Sequence, residues 1–249
     1  MKTLKALSAL LTYPTAELTA AVPDIRSVLH GESVLTSEAL PALEPLLSSL
    51  ASEDLYDLQE RYVILFDRTR TLSLHLFEHV HGESRDRGQA MVDLKSVYEA
   101  AGFEISSTEL PDYVPLFLEY CSLLPEAEAR QMLSEPAHVL TALGERLRKK
   151  DSAYAAVFEA LVSIAASKPS AEVFEALVPE QDIDPNDLKA LDAVWEEEEV
   201  RFGPGAAVAD CGVDSLAAKI RQARRPAPGL EVQASSHPRT VFNHISTRA

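Results

Sequence analysis

Apolar residues along this chain recur three and four positions apart. Leu55, Leu58, Tyr62, Leu65 and Phe66 form one series, Met91, Leu94, Tyr98 and Ala101 a second, and Tyr154, Phe158, Leu161, Val162 and Ala165 a third. Residues at that spacing share one face of an α-helix, whereas a half-buried strand needs strict alternation. No Asn-Gly or Asp-Gly dipeptide marks a hairpin, and no long alternating Val/Ile/Thr run occurs. Start and stop signals agree with helices. Ser52 is expected to cap the helix carrying Leu55, and Gly102 to close the one ending at Ala101. Asp184-Pro185 is expected to open a further helix that Gly203-Pro204 ends. The expected fold is therefore all-α, a single-domain helical bundle with short connections. At 249 residues, 46% of them hydrophobic, the chain can bury roughly 70–75% of its unfolded surface, enough for such a core.

Charge divides the chain in two. The net charge is −16, yet residues 203–249 hold six basic residues (Lys219, Arg221, Arg224, Arg225, Arg239, Arg248) against three acidic ones (Asp210, Asp214, Glu231). The tail is thus +3 and the preceding body −19. The expected organisation is a helical domain over 1–202, followed by an Ala/Pro/Gly-rich, mildly basic, loosely ordered tail over 203–249, with a short helix over Ser215–Arg225. A tail that folds back on the acidic body is the alternative. A strongly acidic body repels nucleic acid and anionic membranes, because both bind through Lys and Arg, and it favours a basic peptide or a basic protein face.

No stretch suits a bilayer. The longest run without a charge, Ala6–Ala16, is eleven residues and contains Pro14, where a spanning helix needs about 20 apolar residues. The N-terminus makes a poor export signal, since only Ala6–Leu11 follows Lys2 and Lys5 before polar residues return. Cys121 and Cys211 form neither a disulfide framework nor a CxxC pair, and Cys121 lies in an apolar stretch where a thiol is buried and inert. The reducing cytoplasm is the expected compartment.

The densest polar cluster runs from Leu65 to Gly88. His75, Glu78 and His79 fit H-x-x-E-H, in which histidines at i and i+4 of one helix reach a zinc ion and the adjacent Glu activates water. A zinc-dependent hydrolase is the alternative function this spacing raises. It lacks a third ligand in any recognisable second motif, so a helix end with internally bonded side chains explains the residues better. The same cluster can be read as a recognition surface. Arg68, Arg70, Arg85 and Arg87 interleave with Asp67, Glu78, Glu83 and Asp86, and Leu72, Leu74, Leu76 and Phe77 are laced among them. An apolar strip flanked by carboxylates suits a basic amphipathic peptide. A self-paired surface network of little energetic weight is equally compatible with the residues.

Other motifs carry less. Asp182–Asp187 imitates a calcium loop, but Asp187 stands where the turn needs Gly and Ala193 where a bidentate Glu is required. Glu196–Glu199 reads as a solvated helix face, and Arg146–Lys150 as cations at a helix C-terminus. The chain contains no GxGxxG, Walker A or GxSxG pattern.

The polar cluster also carries a resemblance. The run Tyr62–Leu65, Phe66-Asp67-Arg68-Thr69-Arg70 and Leu72 to Met91 resembles the NarJ-type chaperones, the delta proteins of respiratory nitrate reductase. The likeness continues through Tyr98, Ala101-Gly102-Phe103 and Glu109 to Tyr120, and more weakly through Trp195-Glu196-Glu197, Val200 and Phe202. It covers roughly residues 1–202. It implies an all-helical, non-catalytic assembly factor without a resident cofactor. Such a factor binds the N-terminal segment of the apo catalytic (alpha) subunit and keeps it competent for insertion of the molybdenum cofactor and an iron–sulfur cluster, with molybdenum cofactor biosynthesis proteins as further partners. The wider superfamily carries an E-x-P-D-H-type loop. Glu109, Pro111 and Asp112 match it, Tyr113 replaces the His, Phe117 stands where a further Glu is common, and Glu119 and Tyr120 fit again. On this reading Tyr62, Phe66, Leu74 and Phe77 line an apolar groove, and Asp67, Glu78, Glu83, Asp86 and Asp112 meet the peptide's cations. Arg70, His75, His79, Tyr113 and Glu119 complete the expected peptide site.

Overall fold

The computed structural model describes residues 1–68, 70–81, 85–105, 109–167 and the backbone of 239–240. Ten α-helices are formed among the described residues: α1 (Lys2–Leu10), α2 (Ala16–Gly31), α3 (Ala39–Ser52), α4 (Leu55–Phe66), α5 (Leu76–His81), α6 (Arg85–Ala100), α7 (Val114–Leu123), α8 (Glu126–Ser134), α9 (Ala137–Lys149) and α10 (Ala155–Ile164). A 3₁₀ turn, Arg70–Leu72, lies between α4 and α5. The all-α expectation holds, with one small addition. Phe103–Glu104 (β1) pairs in parallel with Arg239–Thr240 (β2), two residues from each segment. The expected boundary at 202, the Asp184-Pro185 and Gly203-Pro204 signals, the calcium-like loop and Glu196–Glu199 all lie outside the described residues.

Most of each stripe faces the core, although Ala101 is exposed and Leu55, Met91, Val162 and Ala165 are half-buried. From α4 the core takes Leu58, Tyr62, Leu65 and Phe66, from α6 Leu94 and Tyr98, and from α10 Phe158, Leu161 and Ile164. These join a single continuous cluster. Helix α1 is its middle: Leu4, Leu7 and Leu10 are fully buried, and the helix packs on α2, α7 and α10. Polar bonds fix its pose. The Met1 ammonium donates to Ser122 O (2.6 Å), and Ser8 Oγ donates to Pro115 O (2.7 Å). Glu32, just past the end of α2, accepts from the Lys2 and Thr3 amides at 2.8 and 2.6 Å. It thereby supplies from a distant segment the cap that Met1 does not provide.

Two cap assignments separate at this level. Gly102 does close α6, with φ of +80° and its N–H bonded to Glu99 O, the left-handed stop that glycine adopts without a Cβ penalty. Ser52 does not cap α4. It ends α3, donating to Ser48 O, and Asp54 caps α4 by accepting from the Tyr56 amide at 2.9 Å. The α3–α4 connection is only two residues long, so the nearer acidic residue takes the position.

The α9–α10 contact is the most extensive in the fold. Gly144 lets the helices approach closely: a Cβ there would lie 3.2 Å from Phe158 Cβ, tighter than an ordinary contact. Cys121 on α7 is fully buried, and burial pushes its thiol well above the ordinary range, as expected of an inert core cysteine.

Candidate functional site

The polar cluster folds into a strap. After α4 the chain passes through the 3₁₀ turn and lies along the entry to α7. The Leu76 amide donates to Asp112 O (3.1 Å), the Val114 amide donates to Leu74 O (2.8 Å), and His75 and Tyr113 form an antiparallel bridge. Segments nearly forty positions apart are thus joined by backbone bonds, which explains why short-range periodicity gave no sign of the contact.

Asp112 is the pin of the strap. It is fully buried, accepts from the Phe77 amide at 3.1 Å through Oδ2, and lies 3.3 Å from His75 Nδ1 through Oδ1. Burial works against a charged His75, but the bond and the negative charge of Asp112, with Glu78 and Glu109 nearby, outweigh it and raise the imidazole above its ordinary value. His79 is buried, and its Nε2 sits 2.8 Å from Ser73 O, so that nitrogen carries the proton. Glu78 pairs with Arg87 at 2.9 Å. Burial raises its carboxyl, and bonds from Ser73 and Arg87 more than reverse the effect, leaving it below the usual range.

Beneath the strap lies an aromatic cluster. Tyr62 is at 4.9 Å from Phe66 and 5.6 Å from Tyr13, ring centre to ring centre, and Phe66 is at 5.1 Å from Tyr154. Tyr62 donates its hydroxyl to Leu11 O (2.9 Å) and faces the Tyr113 hydroxyl at 3.4 Å. Tyr113 stacks obliquely on His75 at 5.5 Å. Burial, with the Tyr113 hydroxyl close by, pushes the Tyr62 phenol far above its ordinary range, so it stays a neutral donor.

The structure therefore brings together Tyr62, Phe66, Leu74, His75, Phe77, Glu78, His79, Asp112 and Tyr113. It also corrects the expected apolar groove, and for the H-x-x-E-H residues it favours the helix end with internally bonded side chains over the zinc alternative. Tyr62, Phe66, Leu74 and Phe77 are core residues, each under 8% exposed, and do not line an open groove in this conformation. His75 and His79 do not share a helix face. His75 precedes α5, its ring turned to Asp112, while His79 is turned to Ser73, so the geometry H-x-x-E-H requires is not formed. Asp67, Arg70 and Asp86 are exposed around the strap. Glu119 stands apart on α7, bridged to Lys5 at 3.3 Å, and Glu83 lies outside the described residues.

Three participants escaped the sequence reading. Arg146 stands in the last turn of α9, as expected of a cation at a helix C-terminus, but it is also buried, and its Nη1 donates to Thr71 O at 2.8 Å, tying α9 to the 3₁₀ turn. Tyr154 appeared only as one member of an apolar stripe. Tyr13, 45% exposed, forms the outer edge of the aromatic cluster.

The strap and the helices from α4 to α9 lie within a family match. Residues 33–160, just over half of the chain, match the model of the family described as nitrate reductase delta subunit. The chain belongs to the nitrate reductase delta subunit family. Its similarity to individual members extends further. Over 217 residues it is 43% identical to the Escherichia coli (strain K12) protein named nitrate reductase molybdenum cofactor assembly chaperone NarJ, covering 87% of this chain and 90% of that protein. It is 41% identical over 202 residues to the probable chaperone NarW of the same strain, covering 81% and 84%. With the probable NarJ of Bacillus subtilis (strain 168) it shares 32% identity over 161 residues, 65% of this chain and 86% of that protein. These relatives are matched over 84–90% of their own length, and the strap from Asp67 to Val114 lies within the family match.

Proposed function

We propose that this protein is a non-catalytic assembly chaperone for respiratory nitrate reductase. It acts in the cytoplasm, binds the basic N-terminal segment of the apo catalytic subunit, and keeps that subunit competent for insertion of the molybdenum cofactor and an iron–sulfur cluster before membrane docking. Molybdenum cofactor biosynthesis proteins would be met on the same client. The observation that carries the reading is the near full-length similarity to proteins named as molybdenum cofactor assembly chaperones. The charge supports it: a −16 chain attracts a cationic leader and speeds its encounter.

The geometry suits binding without chemistry. Its titratable residues are committed to structural bonds: Asp112 to the Phe77 amide and His75, His79 to a carbonyl, Glu78 to Arg87. Half-buried His75, Glu78 and Tyr113 form the accessible rim, with exposed Asp67 and Asp86 nearby. A leader would first meet these acidic groups. Its apolar side chains would meet exposed Tyr13 first, and would reach Tyr62 and Phe66 only if the strap parted from α7.

Calorimetry with a peptide of the client's first fifteen or so residues tests the reading. Micromolar or tighter binding is expected, weakened several-fold by Asp67→Lys with Asp86→Lys. No heat of binding, or indifference to both reversals, counts against it. A pull-down adds the decisive comparison. The chaperone should be recovered with cofactor-free reductase, whereas recovery chiefly with the mature enzyme would point to a structural subunit instead.

A further inference from the structure

A second surface lies on α4, on the side turned away from the core. Leu58, Tyr62, Leu65 and Phe66 take one side of this helix inward. At helical spacing Tyr56, Glu60, Val63, Ile64 and, at the C-cap, Asp67 fall on the opposite side, along about 16 Å of the axis. The main backbone contact of α4 is with the 3₁₀ turn. Tyr56 is 79% exposed, Glu60 and Asp67 are exposed, and Val63 and Ile64 are half-buried. Neither aliphatic side chain is packed against the apolar core formed by the described residues. Single exposed apolar residues are ordinary on a protein surface, but an amphipathic helix keeps its apolar stripe on the side that faces the core. Helix α4 carries apolar side chains on both sides, and on the outer side they alternate with carboxylates.

We propose, resting on the reading above that the client presents a basic leader, that this outer side of α4 is the surface on which the leader docks. Its cations meet Glu60 and Asp67, and its apolar side chains lie on Tyr56, Val63 and Ile64. Two observations favour that occupant. The first is charge. Asp57, Glu60 and Asp67 have no bonded partner among the described residues, whereas the one cation of α4, Arg61, is already held by Glu53 at 2.6 Å. An incoming Lys or Arg therefore displaces no existing pair, and it can also lie over the open face of the Tyr56 ring. The second is continuity with the candidate site. The strip ends at Asp67, on the acidic rim of the strap. Gln59, beside Glu60, donates to Pro14 O at 2.9 Å, which brings the segment carrying exposed Tyr13 to the edge of the strip. A leader lying along α4 thus reaches the rim without any parting of the strap, and buried Tyr62 and Phe66 serve to hold α4 in place.

Calorimetry with the full-length chain and the same client peptide tests the assignment. Tyr56→Ala with Glu60→Lys should weaken binding by about tenfold or more. Both side chains are exposed, so thermal unfolding should be unchanged. Glu159→Lys on α10 makes the same change in net charge away from the strip, and at physiological salt it should weaken binding by less than about twofold. A second measurement locates the contact. With benzoylphenylalanine in place of Tyr56, irradiation should join the chain to the peptide, whereas the same group in place of Val92, 59% exposed on α6, should not. Binding indifferent to Tyr56→Ala with Glu60→Lys, equal weakening by Glu159→Lys, no link from position 56, or links only between two copies of the chain would each overturn docking on α4 and leave the chaperone reading standing. A peptide that fails to bind the natural chain at all removes both.

Discussion

Asp112 shows how a single side chain can hold a polar strap on an apolar core. It is fully buried, and it survives there because both carboxylate oxygens are engaged, one with the Phe77 amide and one with His75. Asp112→Ala would leave a buried amide and an imidazole nitrogen without that acceptor. It should cost about 2–3 kcal/mol, read as a lower urea midpoint at unchanged slope. Asp112→Asn, which keeps one oxygen, should cost less. The partner adds a pH dependence. Because the folded value of His75 is raised, its contribution is complete below the ordinary value near about 6.5 and is lost as pH rises through the raised value. The stability difference between the natural chain and His75→Gln should therefore be largest near pH 5.5 and shrink toward pH 8.5. A difference that grew with pH would contradict the pairing with Asp112.

Elements are held by contacts that their own sequences do not announce. Helix α1 has no side-chain cap of its own, and its first amides are satisfied by Glu32 from the end of α2. Burial raises that carboxyl, but the bonds from Thr3 and Lys2 and the nearby N-terminal charge outweigh it and lower its value. The stability it adds is present above the ordinary carboxylate range and is lost as pH falls through the lowered value. Glu32→Gln should cost about 1–2 kcal/mol at pH 7, with the difference fading near pH 3, as thermal unfolding monitored by circular dichroism would show. Arg146 plays the corresponding part for the 3₁₀ turn, crossing from α9 to Thr71 O. In both cases one charged side chain satisfies a helix or turn end that the local sequence leaves open.

At the scale of the molecule, electrostatics and packing divide the work. The core that joins α1, α7, α9 and α10 is apolar and continuous, so salt should leave its stability almost unchanged. Client capture, by contrast, would begin with a long-range attraction between a −16 chain and a cationic leader, which salt screens. Affinity for the leader should fall by about tenfold between 50 and 500 mM NaCl, mostly through slower association, in surface plasmon resonance. Salt-insensitive association would shift the weight of recognition to the apolar anchors.

The helices of this protein follow from its sequence alone, because amphipathic periodicity and glycine stops are local properties that survive whatever the helices pack against. Gly102, the three apolar stripes and the burial of Cys121 were legible for that reason, as was the resemblance carried by the run from Tyr62 to Met91. The site was legible only as a list of members. That Asp112 lies at zero exposure, that Tyr62 and Phe66 face inward, and that His75 and His79 turn to different partners all depend on the strap meeting the entry of α7. Burial, and with it the direction in which a charged group shifts, is set by which distant segment covers a residue. Spacing along the chain carries no record of that choice: it places Arg146 at a helix C-terminus, and only the packing of α9 against Thr71 buries it.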